Sequence, residues 1–170
     1  APVHSALTLD ATPDGTSTLF FADELATVYA VDATTGKLRW RARVSSEVLA
    51  APRIAGGLVL VRSADSRIYA FDAEDGKRRW VYQRASSSLM VRTPAGLSVL
   101  QDSVYAGFSG GKLVSLGLAN GGLRWEATVA LPKGATELER VTDIVGDPAV
   151  VGREVCAAAF QGRIACFDAQ

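Results

Sequence analysis

The chain has 170 residues, 48% of them apolar and 21% charged, a balance that supports a buried core and excludes an intrinsically disordered composition. Eighteen Lys and Arg offset eighteen Asp and Glu, so no net field draws the protein to nucleic acid or to an anionic membrane surface. Sixteen glycines punctuate short apolar runs, none near the roughly twenty residues a membrane-spanning helix needs, and the composition reads as a turn-rich β protein.

The chain opens on Ala1-Pro2 with neither a charged nor a hydrophobic leader region, so any targeting segment is expected to lie outside it. His4 is the sole histidine and sits near the terminus, which removes His-dependent triads and multi-histidine metal sites. The first strong element is an apolar run, Leu19 to Ala22, followed by the phrase Val28-Tyr-Ala-Val-Asp32-Ala-Thr-Thr-Gly36-Lys-Leu-Arg-Trp40. Within it Val28 and Ala30 alternate with Tyr29 and Val31, the period of a pleated strand. Asp32 and Gly36 then supply a turn, the carboxylate accepting backbone N–H groups and the glycine taking positive φ. The Trp is expected to open the following strand.

The same phrase returns forty residues later as Ile68 to Trp80, with Asp72 and Gly76 in the turn. A third copy, Leu113 to Trp125, keeps Gly121 but carries Gly117 in place of the Asp, and a fourth begins at Ile164 with Asp168. Matching apolar runs start at Val59, Val104 and Val155, always nine residues ahead of the phrase, while each Trp falls twelve residues after the phrase begins. The stretch from Trp to the next apolar run grows from 19 to 24 to 30 residues, so insertions collect in one set of loops. Further strands are expected at Leu49 to Ile54 and Asp147 to Val151. Four strands per repeat of about forty residues is the arithmetic of a β-propeller blade.

The fold class is therefore all-β, with four-stranded antiparallel blades at approximately residues 5–44, 45–84, 89–130 and 141–170, the last incomplete. Four blades are expected to be part of a larger, eight-bladed ring. A half-ring leaves two blade faces uncovered, and self-association through them is expected.

The remaining chemistry reads as structural. Trp40, Trp80 and Trp125 recur at one repeat position, which points to packing between blades rather than quinone stacking. Asp32, Asp72 and Asp168 recur at one turn position and read as turn formers rather than metal ligands or catalytic bases. The basic clusters at Arg39 to Arg43 and Lys77 to Arg79 read as a solvated outer edge that discourages strand addition. No catalytic, cofactor-binding or metal-ligating residues are assigned. A two-residue turn at Gln161-Gly162 would place Cys156 opposite Phe167 and Cys166 opposite Ala157, so the two cysteines are expected to be free and buried.

The phrase Ala30-x-Asp32-x-x-Thr35-Gly36-x-x-x-Trp40 resembles the tryptophan-docking repeat of the pyrroloquinoline-quinone-type eight-bladed propellers, with Asp75 in place of Thr in the second copy. Within that superfamily the segment from Gly134 to Asp143, followed by Asp147-Pro-Ala-Val-Val and Ala158 to Ala165, resembles the BamB family. That resemblance implies a non-enzymatic scaffold of the outer-membrane β-barrel assembly machinery, at the periplasmic face of a Gram-negative outer membrane. It also implies attachment by a lipidated N-terminal Cys absent here, and no cofactor. The partner it implies is the barrel-inserting subunit BamA, met by a loop matching Leu89, Val91 and Arg92 and an acidic loop matching Asp143. Val145 departs from the pattern where an acidic residue can occur. Unfolded outer-membrane proteins are a further expected partner, by strand addition. The alternatives are a quinone-dependent dehydrogenase, which needs a calcium-class ion and a cofactor-contacting set that this chain does not display, and a propeller with an unrelated protein partner.

Overall fold

In β2 (Ser17–Ala22) buried Thr18, Phe20 and Ala22 alternate with half-buried Ser17, Leu19 and Phe21, and the alternation fixes which face meets the core. The computed structural model describes residues 3, 5–12, 15–84, 95–136, 141–160 and 162–170. With β1 (Thr8–Ala11), β3 (Thr27–Asp32) and β4 (Leu38–Arg43), β2 forms a four-stranded antiparallel sheet in chain order. The second sheet comprises β5 (Arg53–Ala55), β6 (Leu58–Ser63), β7 (Arg67–Asp72) and β8 (Arg78–Gln83). The third comprises β9 (Leu97–Leu100), β10 (Ser103–Phe108), β11 (Lys112–Gly117) and β12 (Leu123–Thr128). A fourth has three strands, β13 (Ile144–Val151), β14 (Glu154–Ala159) and β15 (Arg163–Asp168). The fold is all-β, and no helix among the described residues is long and apolar enough to cross a membrane.

The chain divides into two units, Ala1–Gln83 and Arg84–Gln170. In the first unit Phe20, Ala22, Val28, Ala30 and Trp40 pack on Val59, Val61, Tyr69 and Phe71 of the second sheet. In the second unit Tyr105 and Leu113 pack with Val155, Ala157, Ala159 and Ile144. Gly107 is held there by closeness, since a Cβ at that position would lie 2.0 Å from Ile144 Cγ2.

Three strand boundaries differ from the sequence expectation: the strand expected from Asp147 already starts at Ile144, and the other two differ for a physical reason. The Trp sits third in its strand rather than first, because the Lys37 carbonyl already accepts the Asp32 N–H at 2.8 Å and draws the preceding residues into the ladder. The extra residue is absorbed by a bulge between Ala30 and Val31, repeated at Ala70/Phe71 and Ser115/Leu116. The strand expected from Leu49 starts only at Arg53. Pro52 has no N–H to give a ladder, and its carbonyl instead accepts the Thr8 hydroxyl at 2.6 Å.

The cysteines correct the expectation outright. Cys156 and Cys166 are disulfide-bonded, with Cα atoms 4.0 Å apart. Ala159 pairs with Arg163, so the hairpin turn holds three residues rather than two, and the register shifts by one to set Cys156 directly opposite Cys166. Both thiols therefore share one face, where Cys156 is half-buried and Cys166 is exposed.

Candidate functional site

The turn after β3 is organised by one carboxylate. Asp32 Oδ1 accepts the N–H groups of Thr34 and Thr35 at 3.1 and 2.8 Å and the Thr35 hydroxyl at 2.9 Å, while Arg39 Nη2 donates to Oδ2 at 2.9 Å. Gly36 closes the turn at φ +71°, its N–H bonded to the Asp32 carbonyl. Arg39, and after it the Thr35 N–H and hydroxyl, hold the Asp32 carboxyl far below the usual carboxylate range. A depressed folded value adds stability that is present above the unfolded value, near 4, and is lost as pH falls through the folded one. Asp32→Asn should therefore flatten the acid limb of stability measured by urea unfolding between roughly pH 5 and pH 2, leaving the neutral limb parallel to wild type.

The corresponding turn of the second sheet receives the indole of the first. Trp40 Nε1 donates to the Ala73 carbonyl at 2.9 Å, and the ring lies flush on Gly76, where a Cβ would come within 2.6 Å of Trp40 Cδ2. Phe20 and Phe71 flank the indole at centroid distances of 5.8 and 6.2 Å. The glycine of one repeat is thus a seat for the tryptophan of the repeat before it. Trp80 is likewise buried.

The second unit solves the same problem with other residues. Ala169 occupies the repeat position of Ala73, but its carbonyl is taken by the Tyr105 hydroxyl at 2.7 Å. The Trp125 ring lies between Tyr105 and Phe167, and its Nε1 is buried with no hydrogen-bond partner among the described residues. Where Gly117 replaces the turn Asp, Arg124 at the position of Arg39 turns to Asp102, donating from Nη1 and Nη2 at 2.9 and 2.5 Å, and also reaches the Ser103 hydroxyl. The carboxylate has moved to a neighbouring strand connection. Neither Tyr105 nor Asp102 stands out in the repeat pattern, because each compensates from outside the phrase.

At the opposite end of β10 and β11 a second cluster forms. Asp143 is buried, its Oδ1 accepting the Gly110 N–H at 3.1 Å and its carbonyl accepting the Phe160 N–H at 2.8 Å. Gly111 presses against the Ala130 backbone, where a Cβ would lie 2.2 Å from the carbonyl oxygen. Arg84 pairs with Glu126 and lies over the Phe108 ring at 5.9 Å, while Lys112 Nζ reaches Glu126 at 3.3 Å. Arg84 foremost, and Lys112 with it, lower the Glu126 carboxyl below its ordinary value. Among the described residues no group of three or more His, Cys, Asp and Glu side chains converges on a possible metal position.

The family model described as outer membrane protein assembly factor BamB matches residues 5–170. The chain belongs to the BamB family. A curated BamB from Bordetella pertussis, named as an outer membrane protein assembly factor, is 46% identical over 158 residues, covering 93% of this chain and 38% of its own length. The BamB of Nitrosomonas eutropha, named the same way, is 47% identical over 133 residues, 78% of this chain and 32% of its own. The crystal structure of BamB from Moraxella catarrhalis superposes with a TM-score of 0.87 at 27% identity, over 98% of this chain and 50% of that one. The chain thus spans between a third and a half of the length of these relatives. The four sheets are blades of a BamB-type β-propeller.

Of the rim positions implied by the resemblance to BamB, Leu89, Val91 and Arg92 lie outside the described residues. Asp143 is described, and its side chain is turned inward onto the β10–β11 turn. Val145, half-buried, stands at the bulge where the pairing of β13 with β14 is interrupted. The turn positions Asp72 and Asp168 each accept a backbone N–H two residues on, from Glu74 at 3.0 Å and Gln170 at 2.9 Å, and Gly121 has φ +67°.

Proposed function

We propose that this chain is part of a non-enzymatic periplasmic scaffold of the outer-membrane β-barrel assembly machinery, and that it binds a BamA-type subunit through loop segments on one rim. Leu89, Val91 and Arg92 supply the direct contact. Asp143, in the acidic loop, acts by holding the β10–β11 turn in place. The observation that carries this reading is the family match over residues 5–170, joined to the assembly-factor name of a relative 46% identical over 158 residues. Its physical support is the division of labour in the chain: stacked sheets bury the apolar surface, and the length-variable connections are left to recognise a partner. The partner's contribution at such a rim is set by a few charged and apolar anchors, and reversing one charge there acts on binding far more than on folding.

The test uses the full-length protein and purified BamA. Arg92→Glu is expected to weaken capture by at least about tenfold while thermal unfolding stays where it is. A large fall in stability with capture intact would assign Arg92 to the fold instead.

A further inference from the structure

The turn between β11 and β12 departs from its counterparts in the first unit. Gly117 stands where Asp32 and Asp72 stand, and Asn120, the sole asparagine of the chain, stands at the position of Thr35 and Asp75. The Asn120 side chain folds back over Gly117, where a Cβ would lie 2.7 Å from Asn120 Oδ1 and 3.6 Å from Arg124 Nε. Its Oδ1 accepts the Gly122 N–H at 2.9 Å, as Asp75 Oδ1 accepts the Lys77 N–H at 2.9 Å. Asn120 and Gly122 are exposed, and the residue between them, Gly121, has φ +67° and no side chain to crowd its nitrogen. Asp102, Asn120, Gly122 and Arg124 are among the residues lining a cleft of about 270 Å³ beside this turn.

We propose that Asn120 is a self-modification site, converted to a carboxylate by attack of the Gly121 backbone nitrogen, and that the carboxylate formed there pairs with Arg124. The Gly121 nitrogen gives its proton to solvent base and bonds to Asn120 Cγ; the Cγ–Nδ2 bond breaks and ammonia leaves. Water then opens the cyclic imide, at either of its carbonyls, to aspartate or isoaspartate. No oxidant or reductant takes part. Nucleophile and carbonyl carbon belong to adjacent residues, so the encounter is intramolecular, and the Gly122 N–H already donates to the oxygen on which charge develops. The bond that must open first joins the Gly121 N–H to the Gly117 carbonyl at 2.8 Å, within the turn itself. The aspartate product suits the fold, because Asp75 holds the same place with the same bond in the second sheet. It also supplies the turn with the carboxylate that Gly117 lacks. Arg39 has Asp32 for that purpose, whereas Arg124 reaches out to Asp102.

Incubation of the full-length protein in mildly alkaline buffer tests this, with the synthetic peptide spanning residues 113–124 aged in parallel. Tryptic mass spectrometry of that same segment reads the replacement of amide by acid. The folded protein should convert no more than about tenfold more slowly than the peptide, the cost of opening one exposed hydrogen bond. Conversion that had to wait for global unfolding would run at least about a thousandfold more slowly, and an amide that persists to that degree overturns the proposal. The pairing is read on the Asn120→Asp variant by NMR titration of its new carboxyl group. That group should titrate at least about one pH unit below the ordinary aspartate value, near 4, and return to it when Arg124→Gln is added. An ordinary value with Arg124 in place would show that the carboxylate does not meet the guanidinium, and overturns that half of the proposal.

Discussion

Gly76→Ala is expected to destabilise the sheet pair β1–β8 by about 3 kcal/mol, whereas Gly36→Ala costs only about 1 kcal/mol. The two glycines have the same φ of +71° and close the same turn, so the backbone cost of a Cβ in the left-handed region is common to both. They differ in what the Cβ would meet. Nothing lies within 4 Å at Gly36, while at Gly76 three ring atoms of Trp40 lie between 2.6 and 2.9 Å. The methyl group would lift the indole from its seat, stretch the bond to the Ala73 carbonyl and open space against Phe20 and Phe71. Urea unfolding of the two variants in parallel checks this, and equal losses would mean that the indole contact adds little to the turn.

Removing the disulfide is the second large effect. Cys156→Ala with Cys166→Ala should cost about 2–3 kcal/mol, the chain-entropy value for a loop closed by cysteines ten residues apart. Among the described residues β15 pairs with β14, and the cross-link joins these two strands directly. Loss should show first at Ala169, whose carbonyl accepts the Tyr105 hydroxyl, and then at the Phe167 contact with Trp125. Unfolding followed with and without a thiol reductant gives the measurement. A wild-type curve unmoved by reduction, with complete reduction confirmed by thiol titration, would show that the hairpin needs no cross-link.

Much of the fold was legible because period-two alternation and a fixed interval between apolar run and phrase are direct consequences of strand pairing. Leu19, Val59, Val104 and Val155 lie in four equivalent strands, and the structure places them at equivalent registers, opposite Val31, Phe71, Leu116 and Phe167. The β14–β15 register was misjudged, because one residue more in the turn before Arg163 reverses the parity of every side chain, and a Gln-Gly pair does not reveal which turn will form. The stand-ins of the second unit were hidden for a different reason. Asp102 and Tyr105 act across strands, so no spacing within the phrase announces that they replace Asp at position 117 and the indole bond of the first unit. The rim was legible only through the resemblance. Charge at Asp143 suggests an exposed acidic contact, but the neighbouring Gly110 N–H draws the carboxylate inward.

Hydrogen exchange of the Trp40 indole N–H, read by NMR on nitrogen-labelled protein, tests the docking of one repeat on the next most directly. If Trp40 Nε1 is bonded to the Ala73 carbonyl in a buried seat, its proton should exchange only through unfolding of the unit, as slowly as the best-protected amides of β3 and β7. An indole proton that exchanges as fast as that of free tryptophan, while those amides stay protected, would show that the sheets are held together by something other than their tryptophans.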